Sequence, residues 1–259
     1  PQFLTNLAEI CKKNILPIHT AWHRRSELYF HEMLQHLEEN DLMSDGLQGF
    51  RSLRSTLTQL LGHFDAILDS LEAGASGYDS IYLDFSKAYD KVDHGVLLHK
   101  LRQPGVCGKV DNWLERFLSK RYQKVACDGV KSSKAEVLSG VPQGTVLGPV
   151  LFLVLILNIT DKIYEGTRVS SFADDTRASR GMKTTDDPKQ LQKDIESIYK
   201  WASDVNMEFN GDKFEVIRYW PDEDIGSVFK EEFKYVNAVS YTHLRAHETS
   251  LHLVCRLLL

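Results

Sequence analysis

Two acidic segments of this chain hold the residues whose types and spacing could do chemistry. Asp84 follows the apolar residues Ile81 and Leu83, and ninety positions after it Asp174 and Asp175 stand side by side. Carboxylate oxygens are the ligands that Mg2+ prefers, and two such ions about 4 Å apart can promote phosphoryl transfer. If the fold brings the two segments together, the sequence predicts one site for two metal ions.

A short strand must position the first acid. From residue 80 to residue 85, the apolar residues Ile81, Leu83 and Phe85 alternate with more polar ones. This period of two is typical of a half-buried strand, whose successive side chains point to opposite faces. Asp84 is therefore predicted to point away from the core.

A hairpin must position the other two acids. Residues 169–173 predict one strand and residues 176–179 its return, which leaves Asp174 and Asp175 in a tight two-residue turn. Aspartate tolerates the unusual backbone angles of such turns. An Asp-Asp pair alone is usually a solvated turn, so the prediction depends on what lies between the two segments.

A loop rich in glycine and proline separates the two acidic segments. It runs from residue 138 to residue 149 as LSGVPQGTVLGP and leads into an apolar segment. A two-metal nuclease or phosphohydrolase could use the same acids, but it has no evident need for this loop or for Tyr89, five positions after Asp84. The order carboxylate, glycine loop, paired carboxylates is more informative than any single part.

These motifs resemble those of the reverse transcriptases of non-LTR retrotransposons, the jockey-like group in particular. Residues 83–90 (LDFSKAYD) look like polymerase motif A, and residues 139–144 (SGVPQG) like motif B. Residues 172–175 (FADD) look like motif C, and residues 210–213 (NGDK) like motif D. Gly49-Phe50-Arg51 with Arg54-Ser55-Thr56 resembles the stretch that joins fingers to palm. The resemblance runs from about residue 38 to residue 220 with order and spacing kept.

The resemblance implies a site for nucleotidyl transfer to a primer 3'-hydroxyl. It assigns two Mg2+ ions to Asp84, Asp174 and Asp175, to which the Phe85 carbonyl could add a ligand. Lys213 is implied as the proton donor to pyrophosphate. The implied nucleotide-binding residues are Phe85, Tyr89, Gln143 and Gly144, with the Tyr89 ring under the sugar.

The resemblance also implies a fold and a set of partners. The expected fold is α+β, with right-hand polymerase fingers and palm, an antiparallel palm sheet backed by helices, and no thumb. Residues 1–77 are expected to be partial fingers, residues 78–220 the palm with motifs A to D, and residues 221–259 an irregular tail. The expected partners are an RNA template, a DNA primer and deoxynucleoside triphosphates, in a parent protein with an upstream endonuclease domain.

Three features depart from the family pattern. Leu16 stands where relatives often have an arginine near the incoming triphosphate, and Asn158 interrupts a second family sequence. Residues 238–259 resemble translated sequencing-adapter read-through, so we expect them not to be native sequence; a real C-terminal helix is the alternative. The departures leave open a degenerate, inactive fragment that at most binds nucleic acid.

Composition narrows the remaining choices. The formal net charge is -5, which is unusual for a protein that binds phosphates. Residues 109–134, however, hold seven basic residues against three acids, and this stretch could face a template or primer, although a solvated helix and hairpin explains it equally well.

The four cysteines have no metal-ligand or disulfide spacing, which favours an intracellular protein, cytoplasmic and nuclear for the parent element. The apolar run 150–157 is far shorter than the ~20 residues that span a membrane, so no membrane association is expected.

Apolar periodicity predicts the elements around the site. Helical stripes begin at Leu57, at Val110 and at Leu191, and core packing explains them. Residues 123–127 and 135–138 predict short strands joined through the turn signal Asp128-Gly129. Residues 207–210 and 214–219 predict a hairpin that turns at Gly211-Asp212.

Overall fold

The computed structural model describes residues 18–220, 233–236 and 240–245. Groups of helices and groups of strands follow one another along the described chain. The helices are α1 (Ile18–Glu39), α2 (Thr56–Glu72), α3 (Ala88–Lys91), α4 (His94–Arg102), α5 (Lys109–Leu118), α6 (Leu147–Ile156) and α7 (Asp187–Asp204). The strands are β1 (Gly77–Asp84), β2 (Arg121–Gln123), β3 (Ala126–Cys127), β4 (Val130–Lys131), β5 (Ala135–Val137), β6 (Thr167–Phe172), β7 (Asp175–Met182), β8 (Glu215–Trp220) and β9 (Ser240–Arg245).

A five-stranded sheet in the order β6-β7-β1-β8-β9 organises the molecule. The pairs β6–β7, β7–β1 and β1–β8 are antiparallel, as the sequence predicted for the palm. The pair β8–β9 is parallel and runs from Glu215 opposite Ser240 to Trp220 opposite Arg245. The sequence predicted an irregular tail from residue 221 onward, and within it residues 240–245 form this strand and extend the sheet.

One face of the sheet packs on the main hydrophobic core. Helix α6 lies in that core with nine of its ten residues buried, which makes it a central helix rather than a surface one. Ile81 and Leu83 of β1 point into the same core, and α7 packs against β7. The α+β class and the helical backing of the sheet agree with the sequence prediction. Among the described residues, no helix combines the length and apolar composition needed to cross a membrane.

Helix α2 lies on the other face of the sheet. Its Ala66 and Ile67 are buried against Tyr78 of β1 and Tyr219 of β8. Three leucines of its predicted core stripe are instead largely exposed: Leu57, Leu61 and Leu68. The prediction that core packing explains this stripe is wrong for these three, because α2 rests on the sheet through only one narrow line of contact. Ser55 begins the helix with a capping box shared with Thr58.

A small two-part arm carries the short strands. Strand β2 pairs with β5, and β3 pairs with β4. The turn at Asp128-Gly129 is present, since both residues have positive φ, 49° and 81°. This pair of angles is what a tight hairpin turn requires. The turn joins β3 to β4, however, and the predicted pairing of residues 123–127 with 135–138 through this turn is wrong, because the first segment is divided and only Gln123 pairs with Ala135.

Candidate active site

Two of the three carboxylates of the site, Asp84 and Asp175, face each other on paired strands. Asp84 ends β1 and Asp175 begins β7, and the antiparallel register puts them directly opposite one another. Asp174 lies in the turn that joins β6 to β7, directly before Asp175. The turn residues are Ala173 and Asp174, so the predicted turn at Asp174 and Asp175 is one residue out of register. Ala173 takes the left-handed conformation at φ 57°, and Asp175 pairs with Phe172 in the ladder.

The glycine loop lies against the motif A segment. The backbone N–H of Gly140 donates to the Val92 carbonyl and that of Val141 to the Tyr89 carbonyl, both at 2.8 Å. Gly140 has φ 86°, and a Cβ atom there would lie 2.7 Å from the Asp90 carbonyl oxygen. Only glycine fits such a close approach, which explains this residue of the loop. The loop therefore sits where its Gln143 Nε2 donates to Asp90 Oδ1 at 3.1 Å.

A cleft of about 740 Å3 brings most of the predicted site together. Seven of the eight predicted residues line it: Asp84, Phe85, Tyr89, Gln143, Gly144, Asp174 and Lys213. The eighth, Asp175, lines a neighbouring groove of about 800 Å3 that Asp84 and Lys213 also border. Asp84 thus stands on the boundary between two concave surfaces.

Lys213 forms an ion pair with the first carboxylate. Its Nζ lies 2.9 Å from Asp84 Oδ2, although its side chain is 62% exposed. The hydrogen bond to Asp84 and then the negative charge of Asp84 raise the pKa of Lys213. The ammonium form is therefore the one that faces the carboxylates, and it is the form that can donate a proton.

The backbone before Lys213 forms hydrogen bonds with the end of β1 and its extension. The predicted hairpin between residues 207–210 and 214–219 is therefore wrong. Ser86 N–H donates to the Glu208 carbonyl at 2.8 Å, and Asn210 N–H donates to the Asp84 carbonyl at 2.7 Å. Residues 207–210 therefore bridge to motif A, and β8 pairs with β1 instead of with them. A 3-10 helix at Gly211–Lys213 replaces the predicted tight turn, because each segment finds its partner in β1 or its extension.

Side chains reinforce this attachment. Lys91 Nζ donates to Glu208 Oε2, and Asn206 Nδ2 donates to Asp93 Oδ2 at 3.2 Å. Both contacts join residues directly after motif A to the residues that lead to Lys213. We call these two contacts the A–D strap.

Two aromatic residues of motif A lie at the cleft and stack on other rings. The Tyr89 ring stacks on Phe152 of α6 with centroids 5.0 Å apart and an angle of 19° between the planes. Burial and then the negative charge of Asp174 raise the pKa of Tyr89 to about 12. Phe85 stacks on Phe209 with centroids 4.2 Å apart and is 2% exposed. The Phe85 ring is thus a core group, which leaves its backbone as the part that can serve the cleft.

The carboxylates of Asp84, Asp174 and Asp175 are the kind of ligand that a hard cation takes. Their arrangement in this structure is not a complete coordination shell. In the part of the chain that the structure describes, no three or more His, Cys, Asp or Glu side chains are grouped to hold a metal ion. Burial, followed by the charges of Asp174 and Asp84, raises the pKa of Asp175. Three carboxylates that oppose one another in this way fit Mg2+ in chemical type. The three-ligand set stays a prediction.

One of the sequence departures has a structural explanation. Asn158 Oδ1 accepts a hydrogen bond from Trp201 Nε1 at 2.9 Å and another from Lys100 Nζ. Lys100 is buried, and this burial lowers its pKa to about 8. Asn158 therefore satisfies buried donors at the end of α6 rather than lining the cleft. Leu16 lies outside the described residues.

Sequence reasoning assigned no role to two residues at the cleft. Phe50 lines it beside Asp84 from the loop before α2, at a positive φ of 60°. Asn210 also lines it and bonds the Asp84 carbonyl. Phe50 lies in the stretch that resembles the link between fingers and palm, and Asn210 lies in motif D. Membership of these motifs is the one sequence signal that could have indicated them. Their contact with the cleft depends on tertiary packing that no local pattern encodes.

The family follows from comparison with known proteins. A family model described as "Reverse transcriptase (RNA-dependent DNA polymerase)" matches residues 24–241. The chain therefore belongs to the reverse transcriptase family. It is 30% identical over 174 residues to the RNA-directed DNA polymerase from mobile element jockey of Drosophila melanogaster, covering 64% of this chain and 19% of that protein. The corresponding protein of Drosophila funebris is 30% identical over 224 residues, covering 78% and 24%. The chain thus spans about a fifth to a quarter of these relatives.

Solved structures show the same fold. The structure of apo telomerase from Candida tropicalis truncated from its C-terminal domain matches with a TM-score of 0.57 and 15% identity, covering 74% of this chain and 40% of that one. Telomerase from Candida albicans matches with a TM-score of 0.56 and 11% identity, covering 86% and 40%. The likeness agrees with the predicted α+β polymerase fold.

Proposed function

We propose that this chain is the fingers-and-palm part of an RNA-directed DNA polymerase of a non-LTR retrotransposon. The observation that carries the proposal is the single cleft lined by Asp84, Asp174, Tyr89, Gln143 and Lys213. These residues come from four separate motifs, and together they give one concave surface with carboxylate, ammonium and aromatic groups. The named relatives from mobile elements support the same assignment.

The proposed cofactor is a pair of Mg2+ ions. Asp84 and Asp174 would hold them, Asp175 would complete the carboxylate set, and the Phe85 carbonyl could add a ligand. When bound, Mg2+ lowers the pKa of a primer 3'-hydroxyl and neutralises triphosphate charge. The Lys213 ammonium lies against Asp84 at 2.9 Å and would have to yield part of this contact.

The chain's own groups would then orient the nucleotide and move one proton. Gly144 has φ 74°, and a Cβ atom at this position would meet no other atom within 4 Å, so its backbone borders open cleft. Tyr89 presents a ring held flat by Phe152, on which a deoxyribose could rest. Lys213, held as an ammonium, would donate its proton to the departing pyrophosphate.

The proposed partners are an RNA template, a DNA primer and deoxynucleoside triphosphates. The parent protein would carry an upstream endonuclease domain and act in the cytoplasm and nucleus. A degenerate fragment that binds nucleic acid without catalysis is the second candidate. The Lys213–Asp84 ion pair, which engages a proposed metal ligand, is the observation that favours it.

Primer extension separates these candidates. The chain is incubated with a labelled DNA primer on an RNA template, Mg2+ and deoxynucleoside triphosphates. Polymerase activity predicts extension that requires the RNA template, Mg2+ and deoxynucleoside triphosphates and that releases pyrophosphate. Binding without extension would favour the degenerate fragment, and cleavage without triphosphates would favour a two-metal nuclease.

A further inference from the structure

A short segment before α2 lies against the outer edge of the sheet. Strand β6 is the first strand in the sheet order, so β7 pairs with only one of its sides. On the other side, Leu47 forms a parallel bridge with Ser171. Gln48 N–H donates to the Ser171 carbonyl at 2.9 Å, and Ser171 N–H donates to the Gly46 carbonyl at 2.8 Å. We call residues 46–49 the edge segment.

Two glycines allow the edge segment to approach β6 closely. A Cβ atom at Gly46 would collide with the Val169 carbonyl oxygen, and one at Gly49 would lie 2.6 Å from the Ala173 backbone nitrogen. Neither glycine has a positive φ, so the close approach, and not the backbone conformation, requires them. Both contacts are with backbone atoms, which cannot turn aside as the end of a long side chain can.

The edge segment thereby reaches the turn that holds a proposed metal ligand. Ala173 is the first residue of this turn, and Asp174 is the second. Ala173 has φ 57°, a left-handed conformation that is unfavourable for alanine. Backbone in such a conformation persists only where its surroundings fix it. The position of Asp174 therefore depends on what packs around the turn.

Contacts on both sides of β6 surround this turn. On one side, β7 pairs with β6 as far as Phe172, the residue before the turn. On the other side, the edge segment bonds Ser171 twice and meets Ala173 at Gly49. The edge segment is thus the neighbour of the turn on the side that β7 leaves open.

A methyl group at position 49 would displace the turn. Relieving a 2.6 Å contact to an ordinary van der Waals distance requires a shift of about 1 Å. Groups that bind a metal or substrate must be held within about 0.5 Å of their productive positions. A shift of that size at Ala173 would therefore move Asp174 out of the geometry that a metal ion needs.

We propose that Gly49 is a positioning residue for Asp174, because it lets the edge segment hold the turn in which this carboxylate stands. Gly49 touches neither metal nor nucleotide in this role, and it acts only through the backbone of Ala173. The identity of the cation as catalytic Mg2+ rests on the proposed function. The steric relation between Gly49 and the turn does not.

Gly49→Ala tests this role, with metal binding as a readout that a merely structural residue would not move. Binding of Mn2+, a paramagnetic substitute for Mg2+, to the 259-residue chain without nucleic acid is followed by electron paramagnetic resonance. The variant should bind Mn2+ about 10-fold more weakly than wild type, an effect typical of groups that orient metal ligands. In primer extension, the Mg2+ concentration for half-maximal rate should rise by a similar factor. Asp174→Asn supplies the baseline, and a wild type that binds no more tightly than this baseline would overturn the proposal.

Two controls separate positioning from a loss of stability. Gly62→Ala makes the same chemical change on α2, where a Cβ atom meets nothing within 4 Å, and should leave Mn2+ binding unchanged. Leu47→Val trims a buried side chain of the edge segment, so it should lower the unfolding temperature without changing Mn2+ affinity. A Gly49→Ala variant that loses stability but keeps the Mn2+ affinity of wild type would overturn the proposal.

Gln48→Pro decides the question if Gly49→Ala does not fold. Proline removes the N–H that bonds Ser171, which loosens the edge segment and adds no atom at position 49. Strand β6 keeps its pairing with β7, and Mn2+ binding should again weaken several-fold. Wild-type affinity in this variant would then overturn the proposal. Failed primer extension by the wild type would instead overturn the proposed function and leave the Mn2+ comparison readable.

Discussion

Asp84 and Asp175 lie directly opposite each other across the antiparallel pair of β1 and β7. Like charges in this position destabilise a sheet. Burial, then Asp174 and Asp84, raise the pKa of Asp175, so the negative charge of this group is opposed in the folded state. A fold that keeps such a concentration of acid at one sheet end is suited to hold a cation there.

The first prediction concerns Asp175→Asn and stability. A raised folded-state pKa gives stability that is fully present below the ordinary carboxyl pKa and is lost as the pH rises through the raised value. Asn stays neutral, so the variant should be more stable than wild type at pH 7 by about 0.2–1 kcal/mol without divalent cations. This corresponds to roughly 1–4 °C for a chain of this size.

Thermal unfolding at pH 7 and near pH 3 checks this sign. The advantage of the variant should disappear at the lower pH, where the wild-type carboxyl is protonated as well. Asp128→Asn, in the exposed hairpin turn, is the control and should change little at either pH. An Asp175→Asn variant no more stable than wild type at pH 7 would contradict the electrostatic account.

The second prediction concerns sugar selection by Tyr89. Its ring is held flat on Phe152 and borders the cleft. A rigid ring under the sugar excludes a ribose 2'-hydroxyl by steric clash, so trimming it removes a penalty without adding a contact. Tyr89→Val should raise ribonucleotide incorporation relative to deoxynucleotide, whereas Tyr89→Phe should resemble wild type. Equal discrimination by the Val variant and wild type would mean that Tyr89 does not face the sugar.

The third prediction concerns the A–D strap. Glu208→Gln removes the ion pair with Lys91 that helps to fix the approach to Lys213. Exposed ion pairs contribute little to stability, so we expect only a two- to five-fold fall in kcat with an unchanged KM for primer–template. Lys189→Gln breaks a comparable exposed pair between Lys189 of α7 and Asp186, the residue before this helix, and serves as control. A change in KM alone would argue against a positioning role.

The fourth prediction concerns the C-terminal segment. Strand β9 is an edge strand, and β8 is also held by β1 through five residue pairs. A chain that ends at Asn237 should therefore keep its unfolding temperature within about 2 °C. A fall of several degrees would show that residues 238–259 pack as an integral part of the fold. The genomic sequence that flanks this segment tests our proposal that it is not native.

Much of the fold was predictable because its signals are local. The alternation around Asp84 predicted β1, and the apolar stripe from Leu191 predicted α7, and the structure has both elements. The expected half-burial of β1 is wrong, because α2 covers the second face of the strand and Ser80 is buried as well as Ile81. The convergence of motifs was predictable only by resemblance, since no local rule joins segments ninety residues apart.

What escaped prediction depends on long-range pairing. The hairpin expected at residues 207–219 does not form, because Asn210 and β8 both pair with β1 or its extension. The turn beside Asp174 is shifted by one residue because the ladder keeps Asp175 opposite Phe172.

The fifth prediction addresses the central claim that Asp84 and Asp174 form the catalytic metal site. Primer extension on an RNA template in Mg2+ should be abolished in Asp84→Asn and in Asp174→Asn, with folding retained, because each change removes a ligand while relieving like-charge repulsion. Asp175→Asn should be milder, since Asp175 borders the neighbouring groove. Loss of extension in both variants, with unfolding temperatures close to that of wild type, is the predicted result. Extension at the wild-type rate in either variant would contradict the account.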